Sequence, residues 1–220
     1  MSEIGNPKSK AKIIVRNVTD LRDIISNWRL GGLTIGLIPT MGAIHKGHTS
    51  LVKEAKSHCD KVVVSIFVNP AQFGENEDLN AYPADEEQDV RALTSVGTDL
   101  VFCPSSCEVY PEDFSTVVSV SRLAAGLCGP FRPGHFEGVA TVVTKLLLQS
   151  LPDIAIFGEK DYQQLLVIRQ LVKDLNIPVK VIGAKIIREK DGLAMSTRNQ
   201  YLSPRERLIA PELNRILQLV

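Results

Sequence analysis

Residues 61–68 read Lys-Val-Val-Val-Ser-Ile-Phe-Val, an almost continuous β-branched and apolar run. A strand with one face in water alternates polar and apolar side chains. A run without that alternation marks a strand covered on both faces, the condition of a parallel sheet sandwiched between helices. The neighbouring segments agree. Residues 12–16, 33–38, 99–103, 116–120, 153–157 and 178–183 read as further strands. Helical patterns fall between most of them: 20–29, with Thr19 as N-cap and Gly31-Gly32 as its stop; 45 to about 59; 85–95, stopped by Gly97; 137–150; and 160–175. Ser203-Pro204-Arg205-Glu206 carries a capping box with proline at the first helical position, so another helix starts there. Strands separated by helices predict an α/β fold, a Rossmann-like doubly wound parallel sheet with helices on both faces. No internal repeat or low-complexity tract is visible. Residues 73–85 are polar and aperiodic, and read as a long loop and a candidate lid.

Composition narrows the function classes. A chain of 220 residues with 44% apolar and 23% charged side chains can bury a sizeable core, in one domain or two. The 25 acidic and 25 basic residues cancel, which argues against a general nucleic-acid or membrane surface. The longest apolar stretches are far short of a membrane span, and residues 1–12 are polar and basic, without a signal-peptide core. Cys59, Cys103, Cys107 and Cys128 form no CxxC pair and no zinc spacing, so they read as thiols in a reducing cytoplasm.

The chemistry is concentrated at strand ends. Pro39-Thr40-Met41-Gly42-Ala43-Ile44-His45-Lys46-Gly47-His48 joins the second strand to a helix. Open α/β sheets bind ligands at the carboxyl ends of strands, and the helix start offers unpaired N–H groups to a phosphate. His45 and His48, three apart, are expected to share a helix face, with Gly47 leaving room for a nucleotide to approach the backbone. This His-x-Gly-His turn resembles the signature of the HxGH nucleotidyltransferase superfamily, which implies transfer of an AMP-type group from ATP. Imidazole N–H donors suit the charge that develops on an attacked α-phosphate.

Four further segments are candidates, each with a plainer reading beside it. Phe157-Gly158-Glu159-Lys160-Asp161-Tyr162-Gln163-Gln164 again follows a strand and opens a helix; Lys160 suits a phosphate and Asp161 a ribose, but Glu-Lys-Asp also starts many solvated helices. Met195-Ser196-Thr197-Arg198-Asn199 gathers two hydroxyls and a guanidinium that suit a triphosphate, or forms a surface loop. Val68-Asn69-Pro70-Ala71-Gln72-Phe73 offers neutral amides to a small hydroxy acid, or is an Asn-Pro turn. Arg132-Pro133-Gly134-His135 precedes an apolar helix, where Arg132 and His135 meet an anion or simply organise a loop.

Together, from about residue 33 to 203, these segments closely resemble the pantoate–β-alanine ligase (pantothenate synthetase) family, through PTMGAxHxGH, SIFVNPxQF, RPGHFxGVxTVV, FGEKDYQQ and REKDGLAMSxRN. The resemblance implies ATP-dependent condensation of pantoate with β-alanine through a pantoyl adenylate, with Mg2+ accompanying ATP. It implies that His45, His48, Lys160 and Arg198 are catalytic, with Ser196 and Thr197 also at the phosphates. Thr197 stands where the family has serine. Met41, Gly47, Gly158, Asp161, Ile187 and Met195 would complete the ATP site. Gln72 and Gln164 would bind pantoate, with Pro39, Met41 and Phe67 at its gem-dimethyl carbons. Asn69, Tyr82, Arg132 and His135 would be site-wall residues, and Asp89 a candidate near the metal. The family pattern divides the chain into residues 1–185, binding ATP and pantoate, and 186–220, the beginning of a smaller, truncated C-terminal lid domain. It further implies a cytoplasmic homodimer without nucleic-acid or membrane partners, with residues 62–67 and 117–127 as guesses for the dimer contact. The alternatives are another small-molecule nucleotidyltransferase or a nucleotide-binding module without catalysis; an aminoacyl-tRNA synthetase, which also uses HxGH, fits poorly because no tRNA-binding domain is evident.

Overall fold

The computed structural model describes residues 13–75 and 77–219. Six strands, β1 (Ile13–Val15), β2 (Ile35–Thr40), β3 (Lys61–Ile66), β4 (Leu100–Phe102), β5 (Ile154–Gly158) and β6 (Lys180–Ala184), form one sheet in the order β1-β4-β3-β2-β5-β6. Every pairing is parallel. After β2 the chain runs outward through β3 and β4; it then returns to the other side of β2 with β5. The carboxyl ends of β2 and β5 therefore flank a topological switch point, where doubly wound sheets open a crevice.

Side chains alternate across the sheet and build two cores. Leu37, Val63, Phe102 and Ala155 face one layer, packed against α1 (Val18–Leu30), α6 (His135–Ser150) and α7 (Tyr162–Asp174). Ile38, Val62, Val64 and Ile156 face the other, packed against α2 (Lys46–Lys56) and α3 (Glu86–Ser95). Each buried aliphatic side chain contributes roughly 1.5–3 kcal/mol of burial free energy. Short helices α4 (Ser106–Val109), α5 (Ser121–Ala124), α8 (Pro204–Ile209) and α9 (Glu212–Leu217) complete the described elements.

Several sequence expectations shift. Residues 116–120 form no strand; the segment runs beside α6, with the Val118 N–H donating to Thr141 Oγ1 at 2.9 Å. The first helix starts at Val18 because Asn17, and not Thr19, caps it, accepting from the Asp20 N–H. The second strand lies two residues later than expected, so it carries Pro39 and Thr40 to the sheet's end. The seventh helix begins at Tyr162, preceded by a 3₁₀ turn over Glu159–Asp161. Ser203 caps its helix reciprocally with Glu206, as expected. Residues 62–67 cannot form a dimer contact: β3 lies inside the sheet, and Val62, Val63 and Val64 are wholly buried. Residues 1–12, including Lys12 of the first expected strand, lie outside the described residues.

Candidate active site

A cavity of about 500 Å³ opens at the switch point. The end of β2 brings Pro39, Met41, His45 and His48 to it; the segment after β3 brings Phe67, Asn69 and Gln72. The turn after β5 and the start of α7 bring Lys160, Asp161 and Gln164, and a later loop brings Ser196, Thr197 and Arg198. Tyr82, Arg132 and His135 also line it. Residues far apart in sequence thus converge because a parallel sheet places all its strand ends on one edge.

The two imidazoles are not on one helix face. His45 is the N-cap of α2, with extended backbone, and His48 is its third helical residue. Their rings lie 4.1 Å apart, centroid to centroid. His45 Nδ1 accepts from the Gly47 N–H at 3.0 Å, and His48 Nδ1 accepts from the His45 N–H at 3.3 Å. A ring nitrogen that accepts from a backbone N–H carries no proton, so the proton of each neutral ring is assigned to Nε2. Burial, then the Lys160 charge, lowers the His45 pKa; burial, then His45 and Lys160, pushes His48 down to about 3. Near neutral pH the pair is two neutral Nε2–H donors at the cavity wall. Gly47 leaves room for this pair: a Cβ there would sit 2.7 Å from His45 Cε1. At Gly158 the position of a Cβ meets only the Lys160 nitrogen at 4.0 Å, so that backbone is open to a ligand.

The basic residues already have partners. Arg198 Nε and Nη2 pair side-on with Asp78 at 3.0 and 2.6 Å, and its guanidinium lies 5.3 Å from the Tyr82 ring. Arg132 pairs bidentately with Glu77 at 2.6 Å and also meets His135 Nε2 at 2.9 Å. These contacts join the loop at Arg132 to Glu77 and to the start of α6. Both carboxyls are held below their usual range by these guanidiniums. Glu77 and Asp78 thus tie their segment to two cavity-lining arginines, and a 3₁₀ turn over Leu79–Ala81 leads from them to Tyr82. Among the described residues Lys160 Nζ reaches only its exposed neighbour Asp161, at 3.3 Å.

Gln72 is held from three sides. His135 Nδ1 donates to its carbonyl at 2.8 Å, Asn69 Nδ2 donates to its Oε1 at 3.1 Å, and its Nε2 faces Met41 Sδ at 2.9 Å. Close packing makes this possible: a Cβ on Gly138 would lie 2.1 Å from the Ala71 carbonyl oxygen, so only glycine lets α6 approach the 70–72 turn.

Not every expected residue reaches the cavity. Gly47, Gly158, Ile187 and Met195 do not line it; Ile187 and Met195 pair with each other through a backbone hydrogen bond of 2.9 Å. Thr197 lines it, but its hydroxyl donates to the Ala43 carbonyl at 3.2 Å, fastening the 196–201 segment to the histidine loop. Asp89 is 3% exposed and lies behind that loop, accepting from the Ala43 and Ile44 N–H groups at 2.8 and 2.6 Å. It holds Ala43 at φ 51° beside Gly42 at φ 83°, and so shapes the histidine loop from behind. Among the described residues no three His, Cys, Asp or Glu side chains gather as metal ligands.

Other residues were missed. Val139, Val142, Val143 and Leu146 form the apolar wall; their i, i+3, i+4, i+7 spacing was the available signal. Gln163 lines the cavity and ties down the 123–128 turn, donating to the Leu123 and Gly126 carbonyls at 3.0 and 2.7 Å and accepting from the Cys128 N–H at 3.1 Å. No sequence pattern marks that contact.

The family model described as pantoate-beta-alanine ligase matches residues 13–220. A pantothenate synthetase of Paramagnetospirillum magneticum is 58% identical over 95% of this chain and 74% of its own length. A crystal structure of pantothenate synthetase from Thermus thermophilus superposes with a TM-score of 0.87 at 49% identity, covering 94% of this chain and 73% of that one. A pantoate-beta-alanine ligase structure from Francisella tularensis, complexed with beta-gamma ATP and beta-alanine, superposes with a TM-score of 0.88 at 42% identity, covering 94% and 80%.

Proposed function

The chain belongs to the pantoate–β-alanine ligase family, and from that premise we propose how its cavity carries out the family's reaction. The activity is ATP-dependent ligation of pantoate to β-alanine. A pantoate carboxylate oxygen attacks the α-phosphorus of ATP and pyrophosphate leaves. The β-alanine amine then attacks the acyl carbon of pantoyl adenylate, and AMP leaves with that oxygen.

The observation that carries the assignment of roles is the neutral His45–His48 pair, capped so that both Nε2–H groups remain for a ligand. They donate to α-phosphate oxygens as charge grows there. Lys160 supplies a mobile point charge to the departing pyrophosphate. Arg198 keeps its Nη1 edge for phosphate while Asp78 fixes the opposite edge. Asp161 and the open backbone at Gly158 suit the ribose. Ser196 and Thr197 border the phosphates, and the backbone at Ile187 and Met195 borders the adenine from outside the wall. Gln72 and Gln164 hold pantoate's polar groups, with Pro39, Met41 and Phe67 against its methyls. The apolar wall from α6 keeps water from the mixed anhydride.

Magnesium enters as a companion of ATP. The described residues offer it no cluster of carboxylates, so phosphates and water are its ligands, and no step is assigned to it. We read residues 1–185 as the ATP- and pantoate-binding unit and 186–220 as the beginning of a second, a division supported by β6 ending at Ala184 and by residues 186–217 adding no strand to the sheet. A cytoplasmic homodimer fits this reading; Val117, at 67% exposed, and Leu127, at 78%, are free to meet a second copy.

Incubation with ATP, pantoate and β-alanine tests the activity. Pantothenate, AMP and pyrophosphate should appear in equal amounts, and only with all three substrates. ADP and phosphate as products, or turnover without pantoate, would defeat the assignment.

A further inference from the structure

Asn69 is 1% exposed and has every hydrogen-bonding position of its amide filled. Nδ2 donates to the Gly138 carbonyl and to Gln72 Oε1, both at 3.1 Å. Oδ1 accepts from the Ala71 N–H at 3.3 Å and from the Tyr110 hydroxyl at 2.8 Å. The backbone partners reveal the amide's orientation, since a carbonyl only accepts and an N–H only donates. That orientation obliges Tyr110 to donate and Gln72 to turn its oxygen inward. The shorter bond to Oδ1 is Tyr110's, so the hydroxyl is the main anchor on that side.

Tyr110 itself is well placed to stay put. It follows the short helix α4, and its ring packs 6.1 Å from Phe67 and 5.1 Å from Phe114, centroid to centroid. Burial pushes its hydroxyl up to about 12, so it remains a protonated donor throughout the working pH range. It does not line the cavity.

We propose that Tyr110 is a positioning residue for the acid substrate: through Asn69 it fixes the Gln72 amide so that Nε2, a donor, faces pantoate. The relay runs Tyr110 O–H to Asn69 Oδ1, Asn69 Nδ2–H to Gln72 Oε1, and Gln72 Nε2–H into the cavity. A glutamine free to turn over would present its oxygen to the substrate carboxylate about as readily as its nitrogen, and acceptor facing acceptor repels. The relay removes that wrong orientation before substrate arrives. The inference rests on Gln72 being a pantoate ligand, and the test separates the two.

Tyr110→Phe keeps the ring and deletes only the donor. The pantoate KM should rise about fivefold, the size of one net hydrogen bond, while the ATP KM and the melting temperature stay near wild type. In a Gln72→Ala background the same change should add nothing to the pantoate KM, because the relay then has no end. If Gln72→Ala alone leaves the pantoate KM unchanged, the ligand assignment fails. If Gln72→Ala raises it but Tyr110→Phe does not, or if the two effects multiply independently, the relay fails. A rise in both substrates' KM would make Tyr110 merely structural and overturn the proposal. A readout on the wild-type protein needs no variant: Asn69 side-chain NH₂ protons should exchange slowly and stay put as pantoate is added, while the Gln72 resonances move. Fast exchange at Asn69 would overturn the relay.

Discussion

His48 does two jobs with two nitrogens, and two substitutions can separate them. Its Nδ1 accepts from the His45 N–H and closes the capping box of α2; its Nε2–H is the donor assigned to the α-phosphate. Asparagine places an oxygen near the Nδ1 position but does not reach Nε2. Glutamine reaches the Nε2 position with an N–H but loses the cap. His48→Asn should therefore keep its melting temperature near neutral pH and slow pyrophosphate exchange by on the order of 10²–10³. His48→Gln should lose about 0.5–1 kcal/mol of stability, or about 1–4 °C for a chain of this size, and retain more of the exchange rate.

The same residue leaves a mark on stability versus pH. In the fold, burial pushes His48 down to about 3, whereas the unfolded chain titrates near 6.5. Above pH 6.5 the imidazole is neutral in both states and contributes nothing. Below it, the unfolded state takes up a proton that the folded state refuses, so stability falls by about 1.4 kcal/mol per pH unit. Between pH 6.5 and 4.5 the share of His48 is about 2 kcal/mol, since the unfolded ring is already half protonated at the upper value. Urea titrations at the two pH values should show that much more acid loss in wild type than in His48→Asn. Identical pH dependence would refute the buried neutral ring. Equal loss of exchange in both variants, with folds intact, would refute the division of labour between the nitrogens.

Three further outcomes follow from the packing and the charges. Gly138→Ala drives a methyl to 2.1 Å from the Ala71 carbonyl oxygen, so it should raise the pantoate KM more than the ATP KM by moving the 70–72 turn; equal changes in steady-state assays would contradict that. Asp89→Ala leaves the Ala43 and Ile44 N–H groups unpaired and should cost on the order of 1–3 kcal/mol in urea unfolding, with the Mg2+ dependence of turnover unchanged. Lys160→Ala should slow single-turnover adenylation far more than the reaction of preformed pantoyl adenylate with β-alanine, since pyrophosphate has by then departed; equal slowing would remove the phosphate role.

The doubly wound sheet was legible because buried parallel strands leave unbroken apolar runs such as residues 61–68, and their ends mark where a site must lie. Boundaries shifted where local chemistry competes: Asn17 out-caps Thr19, and the β-branched residues 116–120 lie beside α6 instead of entering the sheet. The cavity's principal residues were legible through motifs at strand ends. The second ring of contacts was not. Asp78 on Arg198, Glu77 on Arg132 and Tyr110 on Asn69 join positions 41 to 120 residues apart, and a single sequence carries no signal for such pairs. Asp89 belongs to the same ring: its two oxygens accept from the Ala43 and Ile44 N–H groups, a loop-shaping contact that spans 45 and 46 positions and leaves no mark in the sequence.

The central claim is that this cavity activates pantoate by attack of its carboxylate on the α-phosphate. Pantoate labelled with ¹⁸O in the carboxylate tests it most directly, with ATP and β-alanine supplied and the products read by mass spectrometry. The account predicts one labelled oxygen in AMP and none in pyrophosphate, because the attacking oxygen stays on phosphorus when the amine displaces the acyl group. Label in pyrophosphate or inorganic phosphate, or unlabelled AMP alongside pantothenate, would contradict it.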